Sequence, residues 1–188
     1  MKSNDIEQLT NCKWVNLYKV EKEFGSYYFC SRNTKDNLEI LNKNKQADAV
    51  RILPYVKKDN KIYLVLEKEY RTPLDKYIYG TPAGLIDKGE TPIESAKREL
   101  YEEIGANVVS IEQLSNKLYS SAGLTDESVI VFFAQVELTG TQHLEKSEDI
   151  KYELVDLDKV QEFIKDKDFC AGSFLLIQYF YYKQKMIK

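Results

Sequence analysis

Residues 82–106 read PAGLIDKGETPIESAKRELYEEIGA, and the reading of the whole chain depends on them. The second half predicts a short helix with clear ends. Thr91, followed three residues later by Glu94, forms a capping box. Pro92 stands at the first helical position, where its missing N–H costs nothing. Ile93, Ala96, Leu100 and Ile104 recur at helical spacing and predict a buried stripe. Gly105 ends the helix.

The remaining face is one that a merely stable helix would avoid. Glu99 and Glu103 lie four apart, so their carboxylates are neighbours, and Glu102 adds a third charge. Glu102 and Glu103 occupy the last turn, where the helix dipole favours cations. Arg98 can pair with Glu102 and offset part of this, and Glu90 stands upstream on the Gly-containing entry loop. An acidic helix face is ordinarily a solvated one. Crowded hard oxygens, however, suit Mg²⁺ or Mn²⁺.

The full spacing is more specific than the charge. Gly84 is followed after five residues by Glu90 and after seven more by Arg98-Glu99-Leu100. One residue later comes Glu102-Glu103, and one after that Gly105 and Ala106. This string resembles the Nudix box of the Nudix hydrolases, with Ala106 smaller than the usual aliphatic residue. Glu69-Tyr70-Arg71, the segment 82–87, Lys13-Trp14-Val15 and Ser147-Glu148-Asp149-Ile150 are similar to the ADP-ribose and ADP-sugar pyrophosphatase branch. Two positions depart from that branch. Gly80 stands where a Glu is usual two residues before Pro-Ala-Gly, and Ser121-Ala122-Gly123 replaces a Ser-Pro-Gly turn.

Composition is that of a globular chain rather than a disordered one. The 188 residues are 43% hydrophobic and 30% charged, with a net charge of −3, so no one-signed surface for nucleic acid or membrane is expected. Residues 1–12 are polar and no apolar run reaches the ~20 residues of a membrane span. Three widely spaced cysteines, Cys12, Cys30 and Cys170, fit a reducing cytoplasm and neither a zinc site nor a disulfide framework. The one histidine, His143, reads as a loop residue.

Taken in order, Lys13–Glu21 and Gly25–Arg32 predict a hairpin arm turning at Phe24-Gly25-Ser26. Residues 33–46 read as a connection, with a strand around Leu38–Leu41. Ala47–Val56 and Ile62–Tyr70 predict a hairpin around residues 57–60, Arg71–Tyr79 a loop, and Gly80–Ile86 a strand. Further strands are expected at Val108–Gln113, Lys117–Ser120, Ser128–Glu137 and Ile150–Val155. Val129–Phe133 is apolar enough for an interior strand. Helices are expected at Leu157–Lys165 and Ser173–Lys185, the second with Leu175, Leu176, Tyr179 and Phe180 inward. The order predicts an α/β fold with a mixed sheet. The resemblance implies a Nudix-type α/β/α sandwich at 46–188, preceded by an N-terminal antiparallel β arm at 1–45.

The resemblance also implies a site. Glu99, Glu103 and the Ala83 carbonyl would ligate two or three Mg²⁺ or Mn²⁺ ions. Glu102 and Glu90 would be further ligands or orienting groups, and Arg98 would orient the glutamates. A glutamate on a late loop would be the base, Glu148 first and Glu145 as alternate. Trp14 and Tyr27 offer stacking faces for a nucleobase, and Arg32 and Arg71 offer planar donor forks for base and diphosphate. Gly84 lies on the substrate side, and Tyr79 and Phe133 read as structural. The implied substrate is ADP-ribose, yielding AMP and ribose 5-phosphate, with a GDP-sugar, NADH or a dinucleoside polyphosphate as alternatives. The implied assembly is a homodimer through the arm. A regulatory domain that binds ADP-ribose without cleaving it is disfavoured by the complete carboxylate set.

Overall fold

The structure is a computed structural model, and it describes residues 5–43, 45–146 and 148–186. The chain divides into two compact units: residues 1–49 with 117–129, and residues 50–116 with 130–188.

The first unit holds a three-stranded antiparallel sheet in the order β1 (Ile6–Gln8), β2 (Asn16–Lys22), β3 (Gly25–Ser31). The β2–β3 hairpin is the expected arm, and β1 is a third strand from residues read as merely polar. Tyr18, Val20 and Phe29 alternate inward and bury with Ile6 and Leu38. The strand expected at Leu38–Leu41 does not form. A 3-10 turn at Lys35–Asn37 leads into further turns, and Leu38 is fully buried as a plug for the small sheet. A short strand, β9 (Leu118–Tyr119), pairs with Ser128 and Val129.

The second unit is built on a mixed sheet. β4 (Ala49–Lys58) and β5 (Lys61–Arg71) form a hairpin whose turn residues Asp59 and Asn60 both have positive φ, the geometry of a two-residue I′ turn. β6 (Lys76–Gly80) adds to β5 and β7 (Ala83–Leu85) to β4. Residues 76–79, expected to be loop, are thus strand, and the strand expected at Gly80–Ile86 is divided between the end of β6 and β7. The loop signal from Pro73 ends at Asp75, whose φ of 51° makes the turn. After α1 (Pro92–Ile104) come β8 (Ala106–Gln113), β10 (Ser128–Leu138) and β11 (Ile150–Asp156), giving the order β11-β5-β4-β10-β8. β10 is interior, as its apolar run requires. Two helices close the chain, α2 (Val160–Phe163), entered through a 3-10 turn at Leu157–Lys159, and α3 (Ala171–Met186).

Leu53, Leu64, Leu66 and Phe133 form one core with Val160 of α2 and Leu176, Ile177 and Phe180 of α3. Their neighbours Ile52, Val65 and Phe132 are also buried, and strand alternation turns them to the opposite face. α1 packs against β7 and β8 with Ala96, Leu100 and Ile104 fully buried. The result is an α/β/α sandwich. Two inward assignments are corrected. Ile93 is 41% exposed, and in α3 Leu175 and Tyr179 face outward while Ser173, Leu176, Ile177 and Phe180 face inward. α3 is apolar on every side, so its periodicity names no face. The anchor is buried Ser173, whose hydroxyl accepts from Arg51 Nη1 at 2.6 Å and meets Thr81 Oγ1 at 3.1 Å.

Candidate active site

α1 begins with the capping box the sequence predicts: Thr91 Oγ1 accepts from the Glu94 amide and the Glu94 carboxylate accepts from the Thr91 amide. Gly105 closes it with φ of 59°, and a Cβ there would lie 2.1 Å from the Thr141 carbonyl oxygen. Only glycine permits that approach. The loop after β10 is fastened to the freed carbonyls of the last turn. Thr139 N–H donates to Gly105 O and His143 N–H to Glu102 O, both at 2.7 Å. His143 stacks on Tyr101 as an ordinary loop residue.

The acidic face of α1 is largely withdrawn from solvent, with Glu102 its most exposed carboxylate. Glu99 and Glu103 are only 7% and 4% exposed. Arg98 holds the cluster together. Its Nε donates to Glu90 Oε1 at 2.9 Å, and its Nη1 donates to Glu99 at 2.7 Å and Glu102 at 3.0 Å. Its Nη2 reaches the Leu85 carbonyl, Glu90 Oε2 and Ser95 Oγ. Glu103 accepts from the Ala83 amide at 3.1 Å. A Cβ on Gly84 would lie 1.8 Å from Glu99 Oε1, so β7 makes room for that carboxylate by having no side chain there. Arg98 pairing draws the Glu90 carboxyl below its usual range. Burial raises Glu99 in spite of the same arginine, and raises Glu103 well above the normal carboxylate range, with Glu67 and Glu99 adding to the effect.

Glu67 on β5 is the functional candidate that sequence reading missed. It is 2% exposed, its carboxyl meets that of Glu103, and its Oε1 is buried without a hydrogen-bond partner. Burial and the Glu69 charge push it up to about 8. A signal was present. Leu64-Val65-Leu66-Glu67 places an acid directly after an apolar run that has to be interior.

Comparisons of sequence identify the family, and a comparison of structure bears on the fold. Residues 45–176 match the family model described as NUDIX domain. The chain belongs to the Nudix hydrolase family. It is 32% identical over 173 residues to putative nudix hydrolase 2 of Caenorhabditis elegans, covering 86% of this chain and 75% of that one. It is 30% identical over 183 residues to ADP-ribose pyrophosphatase of Bacillus subtilis, covering 96% and 92%. A crystal structure of an ADP compounds hydrolase superposes with a TM-score of 0.70 over 95% of this chain and 92% of that one, at 20% identity, a likeness of fold.

In this Nudix hydrolase, Ala83, Gly84, Glu90, Arg98, Glu99, Glu102 and Glu103 come together as the box implies. The Glu148 charge acts on Glu69, Glu99 and Glu103, whereas Glu145 is exposed and its amide donates to the Glu148 carboxylate. Ser147 lies outside the described residues. Arg71 pairs with Glu69 at 2.6 Å. Trp14, Tyr27 and Arg32 belong to the other unit. There Trp14 is 69% exposed under Lys13, Tyr27 donates to the Gly123 carbonyl, and Arg32 pairs with Glu127. Tyr79 and Phe133 are structural. Tyr79 bonds Glu153 and packs on Phe163 and Phe169, and Phe133 is a core residue. No helix among the described residues is long and apolar enough to cross a membrane.

Divalent cations fit this donor set. The oxygens are hard, Gly84 leaves room beside Glu99, and Glu67 Oε1 is a buried acceptor with nothing to accept from. Among the described residues no three acidic side chains already stand as a closed metal cage, because Arg98 occupies three of them and Glu67 faces Glu103.

The raised carboxyls make stability depend on pH. Their folded-state affinity for protons exceeds that of the unfolded chain, so the folded state binds more protons from about pH 4.5 to about 8. Metal-free protein should lose stability as pH rises through that window. One pKa unit corresponds to about 1.4 kcal/mol, and 1 kcal/mol to roughly 2–4 °C in a chain of this size. Melts in EDTA at pH 5.5 and pH 8 should differ by several degrees, the lower pH being the more stable. An equal or higher melting temperature at pH 8 would contradict the assignment.

Proposed function

We propose that this Nudix hydrolase cleaves the pyrophosphate bond of a nucleoside diphosphate linked to a second group, with ADP-ribose as the first substrate. The products are AMP and ribose 5-phosphate. The observation that carries this reading is the buried glutamate cluster ordered by Arg98 on α1, complete at every acidic position of the box. The substrate is supported by relatives named ADP-ribose pyrophosphatase in Bacillus subtilis and Saccharomyces cerevisiae, the latter 27% identical.

In this reading Glu99, Glu103 and the Ala83 carbonyl hold Mg²⁺ or Mn²⁺, two or three ions in all, with Glu102 and Glu90 as further ligands or orienting groups. When bound, the ions neutralise phosphate charge and acidify water. Arg98 fixes the glutamate rotamers, so charge stabilisation needs little reorganisation. Glu148 takes the proton of the attacking water. That water's oxygen forms the new bond to phosphorus as the bridging P–O bond breaks, and the two products leave as monophosphates. Glu148 is preferred to Glu145 because its charge already acts on Glu99 and Glu103. Arg71 serves the diphosphate beside the Gly84 backbone; Trp14, Tyr27 and Arg32 are the candidate base contacts of the arm. We assign residues 1–45 to a β arm and 46–188 to the hydrolase domain, the protein acting as a homodimer through the arm. The exposed Trp14, Phe24 and Tyr28 favour that assembly.

The reading is tested by phosphate release in a phosphatase-coupled assay with Mg²⁺, run across ADP-ribose, a GDP-sugar, NADH and a dinucleoside polyphosphate. ADP-ribose should rank first by kcat/KM, and a far lower rank would overturn the substrate assignment. Glu148→Gln should lower kcat about 100-fold with KM little changed, the size expected for a lost general base. An unchanged kcat would remove Glu148 from the mechanism.

A further inference from the structure

Glu67 and Gly80 are directly opposite each other in the β5–β6 ladder. Residues so paired have side chains about 5 Å apart on the same face of the sheet. Glu67 is 2% exposed, its carboxyl meets that of Glu103, and its Oε1 has no donor. A buried carboxylate oxygen left without a partner is satisfied either by protonation of the group or by a bound positive charge. Two arginines bear on Glu67 through their charge, Arg71, which pairs with Glu69 at 2.6 Å, and then Arg51, whose Nη1 donates to Ser173. Position 80 carries no side chain, although one would fit. A Cβ there would meet only Ser173 Oγ, at an ordinary 3.8 Å, and φ is not in the left-handed region.

We propose that Glu67 is a further ligand of the divalent-cation site, a carboxylate delivered from β5 across the ladder in place of one from position 80 on β6. The proposal rests on the cation reading above and extends the ligand set from α1 to the sheet. The unpartnered oxygen is then the lone pair that a bound cation takes up. Glu67 and Glu103 face each other because they serve the same ion.

The test is Mn²⁺ affinity by titration calorimetry on purified wild type, Glu67→Gln and Glu67→Gln/Gly80→Glu, each without substrate, with metal-free melts in parallel. Affinity should fall at least tenfold in Glu67→Gln and return to within about threefold of wild type in the double variant. Glu67→Leu, which fills most of the same space without polar atoms, should lose affinity to the same extent and covers the case in which the Gln variant fails to fold. A structural role would move the metal-free melting temperature and leave affinity alone. Equal Mn²⁺ affinity in wild type and Glu67→Gln overturns the proposal while leaving the α1 ligands standing. Absence of uptake by wild type overturns the cation reading itself.

Discussion

Glu103→Gln should lower kcat by about a thousandfold while the fold is retained. The substitution keeps the shape of the side chain and its contact with the Ala83 amide. It removes one negative charge from a site where Glu67, Glu99 and Glu148 all bear on the same carboxyl. Loss of one charged ligand in a dry site is worth roughly 4 kcal/mol of transition-state stabilisation, which is about three orders of magnitude in rate. The metal-free protein should melt at a higher temperature than wild type at pH 8, because like charges buried together destabilise the fold. Higher stability with lower turnover marks a ligand cluster rather than a structural ion pair. Turnover near the parental value, measured with saturating Mg²⁺, would contradict the role given to Glu103.

Gly84→Ala should be nearly as damaging, for a steric reason. The added methyl would sit 1.8 Å from Glu99 Oε1 and 2.1 Å from its Cδ. Glu99 cannot swing away freely, since it is buried and its Oε1 accepts from Arg98 Nη1. Either the 82–85 segment shifts or the carboxylate leaves its place. Overpacking of this kind costs about 1–3 kcal/mol of stability. A displaced ligand on top of that should cut kcat/KM at least about 100-fold, a size seen when catalytic geometry shifts by an ångström. Kinetics and a thermal melt on the one variant check both parts. Activity within a factor of a few of wild type would show that the Glu99 carboxylate works from some other position.

The box was legible because its local chemistry is strong. The Thr91–Glu94 capping box, Pro92 and Gly105 fix both ends of α1, and the conflict of Glu102 and Glu103 with the helix dipole marks a functional face. Periodicity gave the direction of the buried stripe but not how far the covering layer reaches, so Ile93 in the first turn is exposed. In α3 apolar residues on all sides left no face to read, and the choice was made by Ser173 binding Arg51 from β4. Residues 76–80 became a strand only because β5 runs long enough to pair with them. Glu67 is marked in the sequence only as an acid ending an apolar run, and its role was out of reach for the same reason. Its meaning lies in what stands beside it, Glu103 from a helix and Gly80 from the next strand, and sequence spacing carries neither neighbour. Trp14, Tyr27 and Arg32 are legible as residue types suited to a nucleotide, and the structure places them in the unit formed by residues 1–49 and 117–129.

Calorimetric titration of wild type with Mn²⁺ at pH 8, beside the Glu99→Gln/Glu103→Gln double variant, tests most directly whether the buried carboxylates hold a cation. Saturable uptake by wild type and none by the double variant is the predicted result. Uptake absent from wild type, or equal in the two proteins, would contradict it.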